Sequence, residues 1–133
     1  MRRPSAYSDR ACLKHRLKDY KGAIADYTIA IKIKSNNAAD LWNRGNVKKD
    51  IEDYKGAIAD YNKSMEKDPD YAFLCFQCIG DIKFNLQDYE GAIDTFTKEL
   101  ENYPKSKFGY YNRGMCKMAL GQKGSAFLDF KKA

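Results

Sequence analysis

The sequence lacks several features on which membrane insertion or catalysis usually depends. No apolar run in its 133 residues approaches the length of about 18 residues that a membrane-spanning helix needs. The basic start at Met1 has no apolar stretch behind it, so it is not a secretory signal. The only histidine, His15, has no nucleophile or carboxylate at motif spacing, and there is no glycine-rich phosphate loop. We therefore predict a non-catalytic protein with no catalytic residue and no cofactor.

The four cysteines do not form a recognised metal or redox motif. Cys75 and Cys78 have the spacing of a half-site, but a redox pair normally opens a helix after a strand, and no strand pattern is present. Zinc would need two further ligands at regular spacing, and Cys12 and Cys116 lie near opposite ends of the chain. We predict four reduced, buried thiols, no metal site and a cytoplasmic location.

What the sequence does contain is a repeat. The nine residues Asp19–Tyr27 recur unchanged at Asp53–Tyr61, a looser copy lies at Asp88–Phe96, and a fourth ends at Phe130. Aligned on Ala23, Ala57, Ala92 and Ala126, the copies are 34, 35 and 34 residues apart. A fixed period of this length indicates one structural unit stacked on itself.

Each copy predicts two helices. After the reference alanine, apolar residues such as Ala23, Tyr27 and Ala30 share one helical face, and Pro69 and Pro104 end the second and third copies. An earlier helix carries a small residue 12 positions before the reference alanine. Glycine in a helix costs about 1 kcal/mol relative to alanine, so its recurrence predicts close contact with another helix. These small residues are Ala11, Gly45, Gly80 and Gly114.

Further apolar residues, two and six positions after the small residue, are also predicted to pack. They are Leu13 and Leu17, Val47 and Ile51, Ile82 and Leu86, and Cys116 and Leu120. The helix pairs are expected at about 4–34, 38–67, 72–103 and 107–133.

This pattern of an aromatic residue, then Gly, Ala, an aromatic residue and Pro resembles the tetratricopeptide repeat. The resemblance covers essentially the whole chain, and Asn43-Arg-Gly45 and Asn112-Arg-Gly114 look like a common bacterial variant. It departs from the family pattern at Ala11, Ser64 and Glu99, and by one extra residue near Ala72.

The resemblance implies an all-α fold, a right-handed solenoid of four stacked antiparallel helix pairs. A single domain over 1–133 is expected, with repeats at about 4–37, 38–71, 73–106 and 107–133, the last truncated. No polar cap is visible at either end, so the chain is expected to belong to a longer protein or to pack its ends against another surface.

An arginine and an aspartate vary together among the copies. Arg10, Arg44 and Arg113 are each followed 16 residues later by Asp26, Asp60 and Asp129, whereas the third copy has Ile79 and Thr95. Because an unpaired buried charge is costly, we predict three Arg–Asp pairs between helices.

A register of lysines is open to two interpretations. Their aliphatic stems could pack along the helix with the ammonium groups in water, or they could form a basic ladder for an acidic partner. The register comprises Lys14, Lys48, Lys83 and Lys117. The net charge of +6 is divided between two basic ends and an acidic middle, which argues against a continuous nucleic-acid-binding stripe.

In the tetratricopeptide-repeat family the first helices line a concave groove that binds peptides or partner helices. Carried onto this sequence, the groove positions give Trp42, Asn43, Asn46, Leu74, Gln77, Asp81, Phe84, Phe108, Tyr111, Asn112 and Met115, with Ser8, Asp9, Cys12 and Cys78. Amides can hold a peptide backbone, and the aromatic residues supply apolar contact area.

The clamp by which some relatives bind the acidic C-termini of chaperones is not expected. Each of its two possible placements matches one residue in five: Ser8, Cys12, Asn43, Leu74 and Cys78, or Trp42, Asn46, Cys78, Phe108 and Asn112.

The resemblance thus predicts a scaffold that binds a protein or peptide in its groove. The alternatives are an oligomerisation module associating through the open C-terminal repeat, and a basic surface for acidic partners or, less in keeping with the charge pattern, for nucleic acid.

Overall fold

The computed structural model describes residues 4–34 and 37–133, which form eight α-helices, one 3-10 turn at Pro69–Tyr71 and no strand. The chain divides into two compact units, the first ending at Tyr71 and the second beginning at Ala72. The first unit contains α1 (Pro4–Arg16), α2 (Tyr20–Ile33), α3 (Ala38–Asp50) and α4 (Tyr54–Lys67). The second contains α5 (Ala72–Asn85), α6 (Tyr89–Asn102), α7 (Lys107–Ala119) and α8 (Lys123–Lys132).

Within each unit consecutive helices pack in pairs, and the two pairs pack on each other. The predicted all-α architecture of helix pairs is confirmed, and the helix bounds fall within a few residues of those predicted.

The repeated Asp-x-x-Gly starts the second helix of a pair. The carboxylates of Asp19, Asp53 and Asp88 accept a hydrogen bond from the backbone N–H three residues later, at 3.0–3.1 Å. This is an N-cap, which satisfies one of the N–H groups left unpaired at a helix start. The fourth helix of this type, α8, begins after Gln122, which makes no such side-chain bond.

The recurring small residue of the first helix lies against the second helix, as predicted, and the group that it meets there is an aromatic ring. A Cβ atom at Gly80 would lie 2.4 Å from the Phe96 ring, and one at Gly45 would lie 2.9 Å from the Tyr61 ring. Ala11 shares a buried cluster with Tyr27 in the first repeat. Glycine is therefore explained here by space rather than by backbone conformation.

The apolar positions after the small residue behave differently from one another. Val47 and Cys116 are fully buried, because each packs on the second helix of the preceding repeat. Leu13 occupies the same position in α1 and is 55% exposed, since no helix of the described residues precedes α1. The residues six positions after the small residue were also predicted to pack, and this prediction is wrong because they lie at the helix ends and are exposed. They are Leu17, Ile51, Leu86 and Leu120.

Candidate functional site

Three clusters of charged side chains link the paired helices. In each, an arginine donates two hydrogen bonds to the two oxygens of one aspartate at 2.7–2.8 Å. The predicted pairs Arg10–Asp26, Arg44–Asp60 and Arg113–Asp129 are therefore confirmed, and each lies within one repeat. The aspartates are buried, which explains why their charge needs a partner.

The lysine register belongs to the same clusters. Lys14, Lys48 and Lys117 place their ammonium nitrogens 2.8–3.1 Å from the paired aspartates. The interpretation as ammonium groups in water is therefore wrong for these three, because their ammonium groups bind aspartates of the chain itself.

The hydrogen bonds of these clusters perturb the aspartates. The hydrogen bonds from Arg10 lower the pKa of Asp26 to about 2, against the opposing effect of its burial. Burial alone would raise the pKa of Asp129, but hydrogen bonds from Arg113 and Lys117 outweigh it and lower that pKa. Both carboxylates are therefore ionised at neutral pH, as a structural ion pair requires.

Two of the groove residues predicted in the first unit, Trp42 and Asn46, contact other side chains of that unit. Trp42 is half-buried, and its indole lies against Tyr71 with ring centroids 6.5 Å apart. Its Nε1 is buried and has no hydrogen-bond partner among the described residues. Asn46 accepts a hydrogen bond from the Tyr61 hydroxyl, so one of the two acceptor positions of its oxygen is already used. Asn43 is half-buried, and Asp9 and Cys12 are exposed.

Five of the groove residues predicted in the second unit come together around one cavity. This cavity has a volume of about 220 Å³ and lies between α5 and α7, over α6. Tyr111 and Met115 are 51% and 39% exposed, whereas Phe84 packs edge-on against Tyr89. We call this cavity the α5–α7 groove; its lining is Asp81, Phe84, Tyr111, Asn112 and Met115, together with Phe96.

Phe96 is the lining residue that the sequence did not indicate as a binding residue. Its place in the repeat assigned it to packing, and it is in fact 1% exposed, so only the ring surface facing the cavity could meet a ligand.

The remaining predicted residues of the second unit lie elsewhere. Phe108 is 65% exposed and lines a larger, open hollow of about 660 Å³ beside the α6–α7 connection, together with Phe73 and Tyr103. Leu74 is exposed, and Gln77 and Cys78 are half-buried; none of the three borders the α5–α7 groove.

Glu99 is a buried carboxylate that the sequence indicated only as a departure from the usual alanine. It is fully buried, accepts a hydrogen bond from the Ser106 hydroxyl at 2.9 Å, and lies against Gly109. Its other oxygen has no hydrogen-bond partner among the described residues. Burial raises the pKa of Glu99, despite the opposing hydrogen bond from Ser106.

The four thiols differ in burial. Cys75 and Cys116 are buried as predicted, whereas the prediction is wrong for Cys12, which is exposed, and Cys78 is half-buried. Burial raises the pKa of Cys116 to about 11, with a further contribution from Asp81, so it stays protonated. Within 4–34 and 37–133, no three potential ligands are grouped so as to hold a metal ion. None of the helices in these ranges is long and apolar enough to cross a membrane.

Family models of the tetratricopeptide repeat match three segments of the chain, 4–37, 41–71 and 79–106. Together these segments cover more than half of its length, so the chain belongs to the tetratricopeptide-repeat family. Repeats of this family build protein–protein interaction scaffolds, and this chain is such a scaffold. A comparison with curated proteins finds no match.

Solved structures share the fold at low sequence identity. "MamA 41-end from Desulfovibrio magneticus RS-1" superposes with a TM-score of 0.83 at 16% identity, covering 99% of this chain and 74% of that one. The "Arabidopsis OM64 TPR domain" gives 0.74 at 21%, over 87% and 95% of the two chains. "BtubC (BKLC) from P. vanneervenii" gives 0.80 at 18%, over 97% and 61%.

Proposed function

We propose that the α5–α7 groove binds an extended segment of a partner protein and that the chain is non-catalytic. The observation that carries this proposal is the convergence of Tyr111, Asn112 and Met115 of α7 with Asp81 and Phe84 of α5 on one cavity. These residues lie on two successive first helices, the positions through which the family binds peptides.

The size and chemistry of the groove define the segment that it suits. Pockets for drug-sized ligands measure about 300–1,000 Å³, so a cavity of about 220 Å³ fits a single side chain better than a cofactor. The Tyr111 and Met115 side chains offer exposed apolar surface, and Asn112 offers an amide for the peptide backbone. Asp81 adds negative charge, which disfavours acidic segments. We infer an apolar side chain within a neutral or basic stretch.

The same charge disfavours the acidic C-termini that a chaperone-type carboxylate clamp binds, and Trp42, Phe108 and Asn112 stand where such a clamp would need cations. Three of the four lysines of the register already contact aspartates of the chain, which argues against a basic ladder that binds an acidic partner. We further infer that the chain works in the cytoplasm, as four thiols without a disulfide suit a reducing compartment. The two Asn-Arg-Gly segments suggest a bacterial type of repeat.

A displayed library of random extended peptides, selected on the whole chain, tests the groove. Tyr111→Ala should weaken the selected peptides at least tenfold, because an exposed aromatic ring over a cavity has the properties of a binding hot spot. Leu120→Ala is the matched control, since Leu120 follows the same helix and is exposed but does not line the groove. Equal affinities of the Tyr111→Ala variant and the unaltered chain, with an unchanged circular dichroism spectrum, would reject the proposal.

A further inference from the structure

Each unit contains the same kind of polar contact between its first and second repeats. In the first, Nη1 of Arg44 on α3 donates a hydrogen bond to the Thr28 hydroxyl on α2, at 3.1 Å. In the second, Nη1 of Arg113 on α7 donates to the Thr97 hydroxyl on α6, at 3.3 Å. Each arginine thus uses its third nitrogen to bind the repeat before it, while the other two bind its own aspartate. The contact requires an acceptor five residues after the reference alanine.

The last helix has a different residue at that position. Lys131 stands on α8 where Thr28 and Thr97 stand on α2 and α6. An ammonium group has three donors and no acceptor, so it cannot receive a hydrogen bond from an arginine. If a helix packed on α8 as α3 packs on α2, an arginine at the position of Arg44 would lie against the ammonium group of Lys131, and two positive charges would meet.

The apolar surface beside Lys131 is also unusual. Ile24 and Ile93 pack against the cores of their units, but Phe127 at the same position of α8 is 59% exposed. Lys131 lies over its ring, with the ammonium nitrogen 4.9 Å from the centroid. Leu128 is 61% exposed where the other repeats have alanine or aspartate. We call Phe127, Leu128 and Lys131 the α8 face.

The charge around the α8 face indicates what could cover it. Residues 107–133 carry six lysines and arginines and one aspartate, a net charge of +5, and four of these cations remain when Arg113 and Lys117 are set aside as partners of Asp129. We propose that the α8 face binds an amphipathic helix of a partner protein that carries acidic residues, with one carboxylate opposite Lys131 and apolar side chains on Phe127 and Leu128. This surface is separate from the α5–α7 groove, and the proposal does not depend on it.

A second copy of the chain does not fit the same face in the repeat register. Its α1 would present Arg10, whose Nε and Nη2 bind Asp26. The Arg10 side chain is 41% exposed, compared with 15% for Arg44 and 19% for Arg113, because no earlier repeat of the described residues covers it. Head-to-tail docking would place this guanidinium against Lys131 of the other copy, and like charges in contact oppose it.

Two synthetic helices derived from the chain itself provide the test. The first has the sequence of α7, Lys107–Ala119, and so keeps the arginine that contacts the previous repeat; the second is identical except for Arg113→Glu. Both are closed by a lactam bridge on the side away from the contact, because isolated helices of this length are barely stable in water. Their binding to the whole chain and to a Lys131→Thr variant is measured by calorimetry and by amide shifts in NMR spectra.

The glutamate peptide should bind the unaltered chain at least tenfold tighter than the arginine peptide, with shifts centred on α8. In the Lys131→Thr variant the preference should vanish or reverse, since threonine restores the acceptor for arginine. Equal affinity of the two peptides, no binding of either at millimolar concentration, or a preference unchanged by Lys131→Thr would overturn the proposal. Self-association of the unaltered chain in sedimentation, abolished by Phe127→Ser, would assign the face to a second copy and would also overturn it.

Discussion

The Arg44–Asp60 pair can be replaced by a combination that the same chain already uses. In the third repeat, Ile79 and Thr95 stand at these two positions, are 4% and 5% exposed, and Thr95 bonds within its own helix. Replacing both members should therefore cost much less than the sum of the two single replacements, since the double replacement leaves neither Asp60 without its arginine nor Arg44 without its aspartate.

The magnitudes follow from what each change leaves behind. Removal of one partner of a buried pair costs about 3–5 kcal/mol of unfolding free energy. Asp60→Thr leaves two cations without their aspartate, Arg44 and Lys48, whose side chains are 15% and 19% exposed. Because water can partly solvate both, we expect a loss of unfolding free energy at the lower end of that range, about 3 kcal/mol. Arg44→Ile leaves Asp60 paired with the ammonium nitrogen of Lys48 at 3.1 Å, so the expected loss of unfolding free energy is smaller, about 2 kcal/mol.

The double variant should lose only about 2 kcal/mol, chiefly through the hydrogen bond from Arg44 to Thr28 and imperfect packing of the new isoleucine. Since the two single changes would sum to about 5 kcal/mol, the expected coupling is about 3 kcal/mol, at the upper end for residues in contact.

Urea unfolding followed by tryptophan fluorescence is the assay. Trp42, the only tryptophan, lies in the same repeat as this pair and so reports on the first unit even if the two units unfold separately. Glu66→Thr, an exposed acid on the same helix, is the control and should change stability by less than about 0.5 kcal/mol. Additive losses in the double variant would refute the reasoning.

Two further predictions concern packing and pH. Gly80→Ala should destabilise the second unit by about 1–3 kcal/mol, because the added Cβ would lie 2.4 Å from the Phe96 ring. The control Gly124→Ala, whose Cβ would meet no atom within 4 Å, should be neutral or stabilising. Thermal unfolding compares the two variants, and equal losses of stability would exclude contact with the ring as the cause. Glu99→Gln should stabilise the second unit near neutral pH, because the amide keeps a bond to Ser106 and carries no buried charge. Since burial raises the pKa of Glu99, ionisation of this carboxyl lowers the stability of the parent as pH rises through the folded pKa. The difference in unfolding free energy between the variant and the parent should therefore shrink on acidification. A difference that does not depend on pH in urea unfolding would contradict this.

The local sequence was sufficient to predict the helix pairs, because each copy carries its own start, stop and packing face. Pro69 and Pro104 end two copies, and Gly80 marks a close contact with the neighbouring helix. The covariation of arginine and aspartate predicted the ion pairs, since a buried charge and its partner must be lost together.

Several outcomes were decided only by the tertiary structure. The sequence could not show that Lys48 joins Asp60, because a lysine one turn from an arginine reads equally as a solvated side chain. It could not show that Trp42 is covered by Tyr71 while Tyr111 stays exposed over a cavity, since both lie at groove positions of the repeat.

What the sequence by itself determined is therefore the repeat unit, its helices and its ion pairs, all of which depend on contacts at fixed separations along the chain. What only the tertiary structure decided is which surfaces remain uncovered, namely the α5–α7 groove and the α8 face. The physical reason is that exposure depends on which helices of the described residues pack on a position, and equivalent positions such as those of Ile93 and Phe127 therefore differ in burial.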